Sequence, residues 1–357
     1  MLTLMALVSA CLALDDIKPA ARVSEARLMA TLRDLPPARS AVGDLAHQQG
    51  LAQAELLIRI WLADAGYEPA LEPLLWNLAR QRQHDEGLGV PPRWRVPETT
   101  EALASRTWHN IIVEVKGRET PAEVVVLGAH FDAVAGSPGA DDNGSGAAGL
   151  VEIARALHGT TPRRTIRLVF FNHEELRVVG SSEHVKARRA RWDAGEERII
   201  AMVSLEMIGY FTDAPNSQKS PAPPIKGVFE PPTVGDFIAL ATVSRHSPVA
   251  RFLGEGMARH APGLKVFVAD MFPVALPDML RSDNAPFLLA GLPAMMLTDT
   301  SNFRNANYHK PTDTPDTLDP ARYTLVVRGL AGAAFDLADA PELPKHPTPE
   351  QPAPSPK

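Results

Sequence analysis

The residue types in this sequence that could do chemistry are concentrated after one apolar run, Val124–Leu127. His130 and Asp132 follow that run closely, and an acidic pair, Asp141-Asp142, comes eleven residues after His130. The run has the composition of a strand buried on both faces, so the histidine and the first aspartate would leave its carboxyl end. Open α/β sheets place their sites at that end, and we interpret the group as a metal centre. The acidic pair by itself would also suit a polar loop that caps the following helix.

Three further strand-like runs are followed by, or contain, potential metal ligands. These are Glu174-Glu175 after Thr165–Phe171, Glu206 within Arg198–Ile208, and His309 in the polar loop after Leu292–Leu297. Burying so many carboxylates together would be very costly without cations, because each would lose its hydration beside like charges. Two histidines and three carboxylates, one of them bridging, suit a pair of zinc ions and leave a position for water.

Strands and helices alternate along the middle of the chain. The strands that precede the candidate ligands are separated by predicted helices at Gly146–Leu157 and Ser182–Arg191, an order that requires a mostly parallel sheet with crossover helices. The other predicted helices are Ala21–Leu32, Leu51–Ala65, Val234–Arg245, Pro248–His260, Ala285–Ala290 and Pro320–Ala338. The other predicted strands are Tyr67–Asn77, Thr107–Val115 and Leu264–Ala269, whereas Gln81–Glu101 and Asp213–Pro232 are predicted loops.

The composition is that of an ordinary globular protein, with 45% hydrophobic and 22% charged residues among 357. The formal net charge of −6 and the absence of a Lys/Arg cluster argue against a nucleic-acid partner. The single cysteine, Cys11, excludes an internal disulfide and any cysteine-based metal site.

The apolar start, Met1–Leu14, is too short to span a bilayer. It could be the core of a truncated signal peptide, and Leu7–Cys11 resembles the cleavage box of bacterial lipoproteins, in which the cysteine becomes the lipidated first residue. The alternative is a short disordered or docked N-terminus on a cytoplasmic protein, since the basic start of a signal is missing. We predict that residues 1–15 are a signal or lipoprotein segment. The protein would then be exported to the periplasm, and a lipidated Cys11 would be its only membrane attachment.

Taken together, six segments resemble the M28 aminopeptidases, zinc exopeptidases with a phosphorylase/hydrolase-like fold. The segments are His130–Asp132, Gly139–Gly146, Asn172–Glu175, Ser204–Tyr210, Ser282-Asp283 and Tyr308–Thr314. The resemblance implies a three-layer α/β/α fold with a mixed, mostly parallel central sheet. It also implies one zinc-peptidase domain over residues 16–340. Residues 341–357 are Pro-rich and polar, a composition that predicts a disordered tail.

The resemblance assigns roles to seven residues. Five would bind two zinc ions: Asp141 would bridge both, Glu175 and His309 would complete one site, and His130 and Glu206 the other. Asp132 would hold the His130 imidazole through its second nitrogen, and Glu174 would be the general base. The Asp141-Asp142 peptide would be cis, as it often is in the family. The expected activity is removal of N-terminal residues from peptide substrates, by a metal-bridging hydroxide that attacks the scissile carbonyl.

Two other functions remain compatible with this sequence. A glutaminyl cyclase shares the fold and many of the motifs but uses a single zinc ion. A non-catalytic binding protein on the same fold would normally lose the base or a metal ligand. Many family members have aspartate at the position of Glu206, which leaves occupancy of the second metal site open. The polarity of cleavage, from the amino or the carboxyl end, is also open because the same dinuclear core serves both.

Overall fold

The computed structural model describes residues 18–74, 78–87, 106–221, 223–224, 226, 230–271 and 276–345. The predicted leader with Cys11 lies outside these residues, as does the tail beyond residue 345. Within them, no helix is both long and apolar enough to cross a membrane.

One mixed sheet of eight strands organises the described residues. In chain order the strands are β1 (Ala70–Pro73), β2 (His109–Val115), β3 (Thr120–His130), β4 (Arg164–Phe171), β5 (Arg198–Glu206), β6 (Phe237–Val243), β7 (Lys265–Met271) and β8 (Ala294–Thr298). Their order across the sheet is β1-β2-β4-β3-β5-β8-β6-β7. The central strands β4, β3, β5 and β8 run parallel to one another, whereas β1, β2 and β6 introduce antiparallel pairings.

Helices cover both faces of the sheet. In chain order they are α1 (Pro19–Arg22), α2 (Glu25–Asp34), α3 (Leu45–Asp64), α4 (Leu78–Gly87), α5 (Gly146–Leu157), α6 (Val179–Asp193), α7 (Ser247–His260), α8 (Leu276–Met279), α9 (Asn284–Leu289) and α10 (Pro320–Asp339). Val125 and Leu127 of β3 pack into the core formed with α2, α3, α5, α7 and α10. Val124 and Val126 point to the opposite face and pack with α6 and α9. The predicted three-layer fold is therefore confirmed, because alternate side chains of a central strand are buried under separate helical layers.

The structure corrects two predicted elements. Residues 234–245 were expected to be helical, but Phe237–Val243 is strand β6, parallel to β7 and antiparallel to β8. A short apolar run does not distinguish a buried helix from a buried strand by its periodicity, and here pairing with two neighbouring strands decides the matter. Part of the predicted loop Gln81–Glu101 is helix α4, while residues 88–101 lie outside the described part of the chain. The buried amide of Gln81 donates to the Leu176 carbonyl, a tertiary contact that local polarity cannot indicate.

Candidate metal centre

Three parallel strands end at the same edge of the sheet and bring the predicted ligands together. β3 ends at His130, β5 ends at Glu206, and Glu174-Glu175 follow the end of β4. The turn Ala140–Ser145, between β3 and α5, lies at this edge as well, and the loop after β8 contributes His309. Strand ends are rigid supports, so the chain has few ways to displace these side chains.

Two groups of side chains form adjoining sites that share one carboxylate. In the first, Nε2 of His130 lies 3.6 Å from Oδ1 of Asp142 and 3.3 Å from Oε2 of Glu206. In the second, Nε2 of His309 lies 3.0 Å from Oδ2 of Asp142 and 3.5 Å from Oε2 of Glu175. Each oxygen of Asp142 thus faces a different histidine, which is the arrangement of a carboxylate that bridges two metal ions.

The donor set fits zinc. In each group the ligand atoms lie within 4.8 Å of one another, and imidazole nitrogen and carboxylate oxygen are ordinary zinc ligands. Nε2 of His130 is buried and has no hydrogen-bond partner among the described residues, so it has a lone pair or a proton to satisfy. A metal ion at this position would satisfy it and would offset the surrounding negative charge.

The electrostatics show how much these carboxylates need a cation. Burial raises the pKa of Glu175 to about 7, and the neighbouring Asp142 carboxylate adds to the rise. Burial alone lowers the pKa of His130, but the Glu174 and Glu206 carboxylates outweigh it and move the pKa well above its ordinary value. Burial lowers the pKa of His309 as well, but the Asp142 and Glu175 carboxylates outweigh it and raise the pKa to about 10.

The carboxylate that faces both histidines is that of Asp142, not that of Asp141, for which the bridging position was predicted. Oδ1 of Asp141 accepts a hydrogen bond of 3.0 Å from the Gly209 N–H, and its Oδ2 accepts one of 2.7 Å from Nδ2 of Asn305. Asp141 therefore anchors the turn to neighbouring loops and is absent from both ligand groups. The cis peptide bond is likewise Asp142–Asn143 and not Asp141–Asp142. Adjacent residues in a tight turn point in different directions, and the acidic pair alone could not indicate which one faces the histidines.

Asp132 has a wider role than the one predicted. Its Oδ1 lies 3.4 Å from Nδ1 of His130, close enough to orient the imidazole. Its two carboxylate oxygens also accept hydrogen bonds of 3.0 and 3.1 Å from the backbone N–H groups of Glu174 and Glu175. One buried carboxylate thus positions the end of β3 and the two acidic residues that follow β4.

Glu174, the predicted general base, lies at the first group of ligands. Its Oε2 is 3.7 Å from Nε2 of His130, and its nearly buried side chain lines the cleft that also contains Asp142 and His309. Burial, with the Glu206 and Glu175 carboxylates, raises its pKa well above the usual value of a glutamate. A carboxylate with a raised pKa accepts a proton more readily near neutral pH, as a general base must.

Two residues that sequence reasoning did not assign hold the bridging turn in place. The carboxylate of Asp313 accepts hydrogen bonds from the N–H groups of Asp141 and Asp142, at 3.0 and 3.1 Å. The buried amide of Asn143 donates to the Leu205 carbonyl and so ties the turn to β5. Both residues lie inside segments that carried the family resemblance, and that was the available signal.

A mostly apolar pocket opens beside the first ligand group. Glu206 and Ser282 form the end nearest the ligands. Apolar side chains make up much of the wall: Phe237, Ala239, Ala241, Phe267, Met279 and Met296. β6, which had been predicted as helix, supplies three of them.

Comparisons with known proteins agree with this geometry. The sequence profile of Peptidase family M28 matches residues 110–333. The Escherichia coli K12 protein YfbL is 32% identical over 262 residues, which are 71% of this chain and 79% of YfbL. BSAP, a zinc aminopeptidase from Bacillus subtilis, has a TM-score of 0.61 at 17% identity over 88% of this chain and 95% of BSAP. A glutaminyl cyclase from Fimbriiglobus ruber has a TM-score of 0.59 at 14% identity, over 88% of this chain and 95% of the cyclase.

At such low identities the two structural matches establish a shared fold. The profile match is evidence of family membership and not only of fold. It begins in β2, ends in α10 and contains every side chain of the two ligand groups. With this match, the chain belongs to peptidase family M28 and is a hydrolase that acts on peptide bonds.

Proposed function

We propose that this peptidase is a zinc-dependent aminopeptidase that holds two zinc ions. His130 and Glu206 would bind one ion, Glu175 and His309 the other, and Asp142 would bridge them. The observation that carries the proposal is the orientation of Asp142, whose two oxygens face the two histidines at 3.6 and 3.0 Å. Zinc is also the metal named for BSAP, which shares this fold.

Bound zinc would lower the pKa of the attacking water and polarise the scissile carbonyl. The Glu174 carboxylate takes a proton from that water and then passes it to the leaving amine. Asp132 keeps Glu174 in position by accepting its backbone N–H, and keeps the His130 ring oriented. Asp132 follows the end of β3 and Glu174 follows the end of β4. The hydrogen bond between them therefore keeps Glu174 at a fixed distance from His130.

The apolar pocket beside Glu206 supports binding of the N-terminal residue of a peptide. An apolar first side chain would lie against the Phe237 and Phe267 rings, which contact each other edge to face, and above the small Ala239 and Ala241 side chains. The free α-amine would then lie near Glu206 at the carboxylate-rich end of the pocket. Negative charge at that end favours an amine and disfavours a substrate carboxylate, which supports cleavage from the amino end.

The test combines zinc analysis with hydrolysis of a matched pair of peptides. Purified protein should contain two zinc ions per chain and should release leucine from Leu-Gly-Gly but not from its N-acetylated form. Glu174→Gln should keep the zinc and lower kcat by roughly 10²- to 10⁴-fold. Glu183→Gln, on α6 and outside both ligand groups, is the matched control and should leave kcat unchanged.

Three results would contradict the proposal. Cleavage of both peptides would rule out recognition of a free amine, and unchanged turnover in Glu174→Gln would rule out the assigned base. One zinc ion per chain, with cyclisation of an N-terminal glutamine and no hydrolysis, would identify a glutaminyl cyclase instead.

A further inference from the structure

Arg39 is a charged side chain buried directly behind the metal centre. It lies between α2 and α3, and only 2% of its surface is exposed. Its guanidinium donates hydrogen bonds to four carbonyl oxygens, those of Pro36, Phe131, Pro138 and Gly139. Three of these carbonyls belong to the loop that leads from β3 to the bridging turn.

The loop that Arg39 holds joins ligands of both metal sites. The Phe131 carbonyl, which accepts from Nε at 2.8 Å, belongs to the residue between His130 and Asp132. The Gly139 carbonyl accepts from Nη2, three residues before Asp142. The Arg39 guanidinium therefore contacts the backbone near both ends of the segment between His130 and Asp142.

The backbone of the Arg39 segment adds to this contact. The Arg39 carbonyl accepts a hydrogen bond of 2.8 Å from the N–H of Ala133, in the same loop. Gly139 adopts φ +61, and a Cβ there would lie 2.9 Å from Nη2 of Arg39. A Cβ at this position would also collide with the Asp142 carbonyl oxygen, so the close approach of the turn and the guanidinium requires glycine here.

The charge of Arg39 also faces the centre. Burial lowers its pKa, while the carboxylates of Asp313, Asp132, Asp142 and Glu175 oppose that change. Because its N–H groups are directed to carbonyl oxygens, the cation offsets this negative charge without withdrawing a carboxylate from metal binding. Lysine could not do the same, since its ammonium is compact and lacks the planar fork of donors that reaches several carbonyls at once.

We propose that Arg39 is a positioning residue that holds the His130–Asp142 loop in the conformation that binds zinc. The inference rests on the proposed dinuclear centre and extends it to residues outside 110–333, the part of the chain that the family profile matches. The segment around α2 and α3 is then part of the metal site and not only a cover for the sheet.

The experiment measures zinc affinity in Arg39→Lys and Arg39→Met by competition with a chromophoric chelator. The visible absorption of the cobalt-substituted proteins reports the ligand geometry. We expect the zinc Kd to rise by roughly 10- to 100-fold in Arg39→Met and by less in Arg39→Lys, with altered cobalt bands in both. kcat should fall, while KM should stay within about threefold, because Arg39 lies behind the ligands and not in the substrate pocket.

The control is a second buried arginine far from the ligands. Arg164, at the start of β4, donates to Glu123 and to the Ala340 carbonyl. Arg164→Lys and Arg164→Met should lower the melting temperature of the metal-free protein, measured with EDTA, and leave the zinc Kd and cobalt spectrum unchanged. The zinc Kd values of an Arg39 variant and an Arg164 variant are compared when both have lost the same amount of stability without metal. A higher Kd in the Arg39 variant alone then reports an effect on zinc binding and not a general loss of packing.

An unchanged zinc Kd and cobalt spectrum in folded Arg39 variants would overturn the inference. If Arg39→Met does not fold, the zinc Kd and cobalt spectrum of Arg39→Lys decide whether the inference holds. Failure of both to fold in excess zinc would also count against it, because Arg39 would then serve the fold and not the metal. Lack of zinc and of hydrolysis in the wild type would overturn the proposed function itself, whereas a zinc-bound, active wild type with unchanged variants would overturn only the role of Arg39.

Discussion

The hydroxyl of Ser282 donates a hydrogen bond of 2.6 Å to Oε2 of Glu206. Both side chains are buried, and Ser204 lies behind them with its hydroxyl 3.2 Å from that of Ser282. Ser282 lies just before α9 and Glu206 ends β5, so the contact joins two separate elements. It orients the carboxylate that takes the place of the aspartate common in this family, through the same oxygen that lies 3.3 Å from Nε2 of His130.

Ser282→Ala should therefore weaken zinc binding at the His130–Glu206 site. The loss of one hydrogen bond to a ligand carboxylate should raise the zinc Kd of that site by roughly tenfold or more, measured by titration of the metal-free protein. Ser204→Ala is the matched control, since Ser204 contacts Ser282 and not Glu206. Equal effects of the two substitutions would argue against orientation of Glu206 by Ser282.

The two neighbouring aspartates of the bridging turn should behave differently. Asp142→Asn removes the negative charge of the carboxylate that both sites share and replaces one of its oxygens by an amide nitrogen, so zinc content should fall below two per chain and hydrolysis should be lost. Asp141→Asn should retain zinc and should instead lower the free energy of unfolding by roughly 1–3 kcal/mol, because its buried hydrogen bonds to Gly209 and Asn305 are altered. Metal analysis and denaturant unfolding distinguish the two, and zinc loss in Asp141→Asn alone would restore the original assignment.

The size of the apolar pocket should set the preference for the first residue. Ala241→Leu adds bulk where the pocket is open, so kcat/KM should fall by roughly tenfold or more for N-terminal leucine peptides and much less for alanine peptides. Ala122→Leu, in a cleft at the opposite end of the sheet, is the control and should change neither. An equal loss for both substrates would mean that the first side chain binds elsewhere.

A buried ion pair far from the metal centre should make stability depend on acid pH. Two guanidinium nitrogens of Arg167 each donate at 2.7 Å to the carboxylate of Glu197. Burial would raise the pKa of Glu197, but the Arg167 hydrogen bonds and charge outweigh it and lower the pKa to about 2, from 4.5 for a free glutamate. Because the folded-state pKa is the lower one, the pair stabilises the fold above pH 4.5, and its contribution is lost as the pH falls toward 2.

The full contribution corresponds to about 3 kcal/mol. Urea unfolding of wild type and Glu197→Gln, both in EDTA, should show the wild-type advantage at pH 6 and a smaller one at pH 3. A constant difference across this range would show that Glu197 does not titrate as inferred.

Export through the N-terminal segment is a further prediction. If Cys11 becomes the lipidated first residue, mass spectrometry of protein from the membrane fraction should find that cysteine modified and Met1–Ala10 removed. Cys11→Ser should release the protein from membranes. An intact Met1 and unmodified Cys11 on soluble cytoplasmic protein would contradict export.

The sequence alone was sufficient for the central strands and the chemistry at their ends. The apolar run Val124–Leu127 contains three β-branched valines, which favour a strand, and His130, Glu175 and Glu206 lie at strand ends by their position along the chain. Parallel strands place such ends at one edge, so residue type and order were enough to predict a shared metal centre. The resemblance to the family then supplied His309, which lies in a loop.

The tertiary structure decided the features that depend on direction and on distant contacts. Asp141 and Asp142 have the same chemistry, and only the path of the turn, held by Asp313 and Asn305, determines which carboxylate faces the histidines. β6 is a strand because β7 and β8 lie beside it, and its apolar run has no periodicity that would say so. Arg39 belongs to the centre because folding brings its guanidinium to carbonyls about 100 residues along the chain. Such hydrogen bonds use backbone groups that every residue possesses, so no pattern of side chains in the sequence can reveal them.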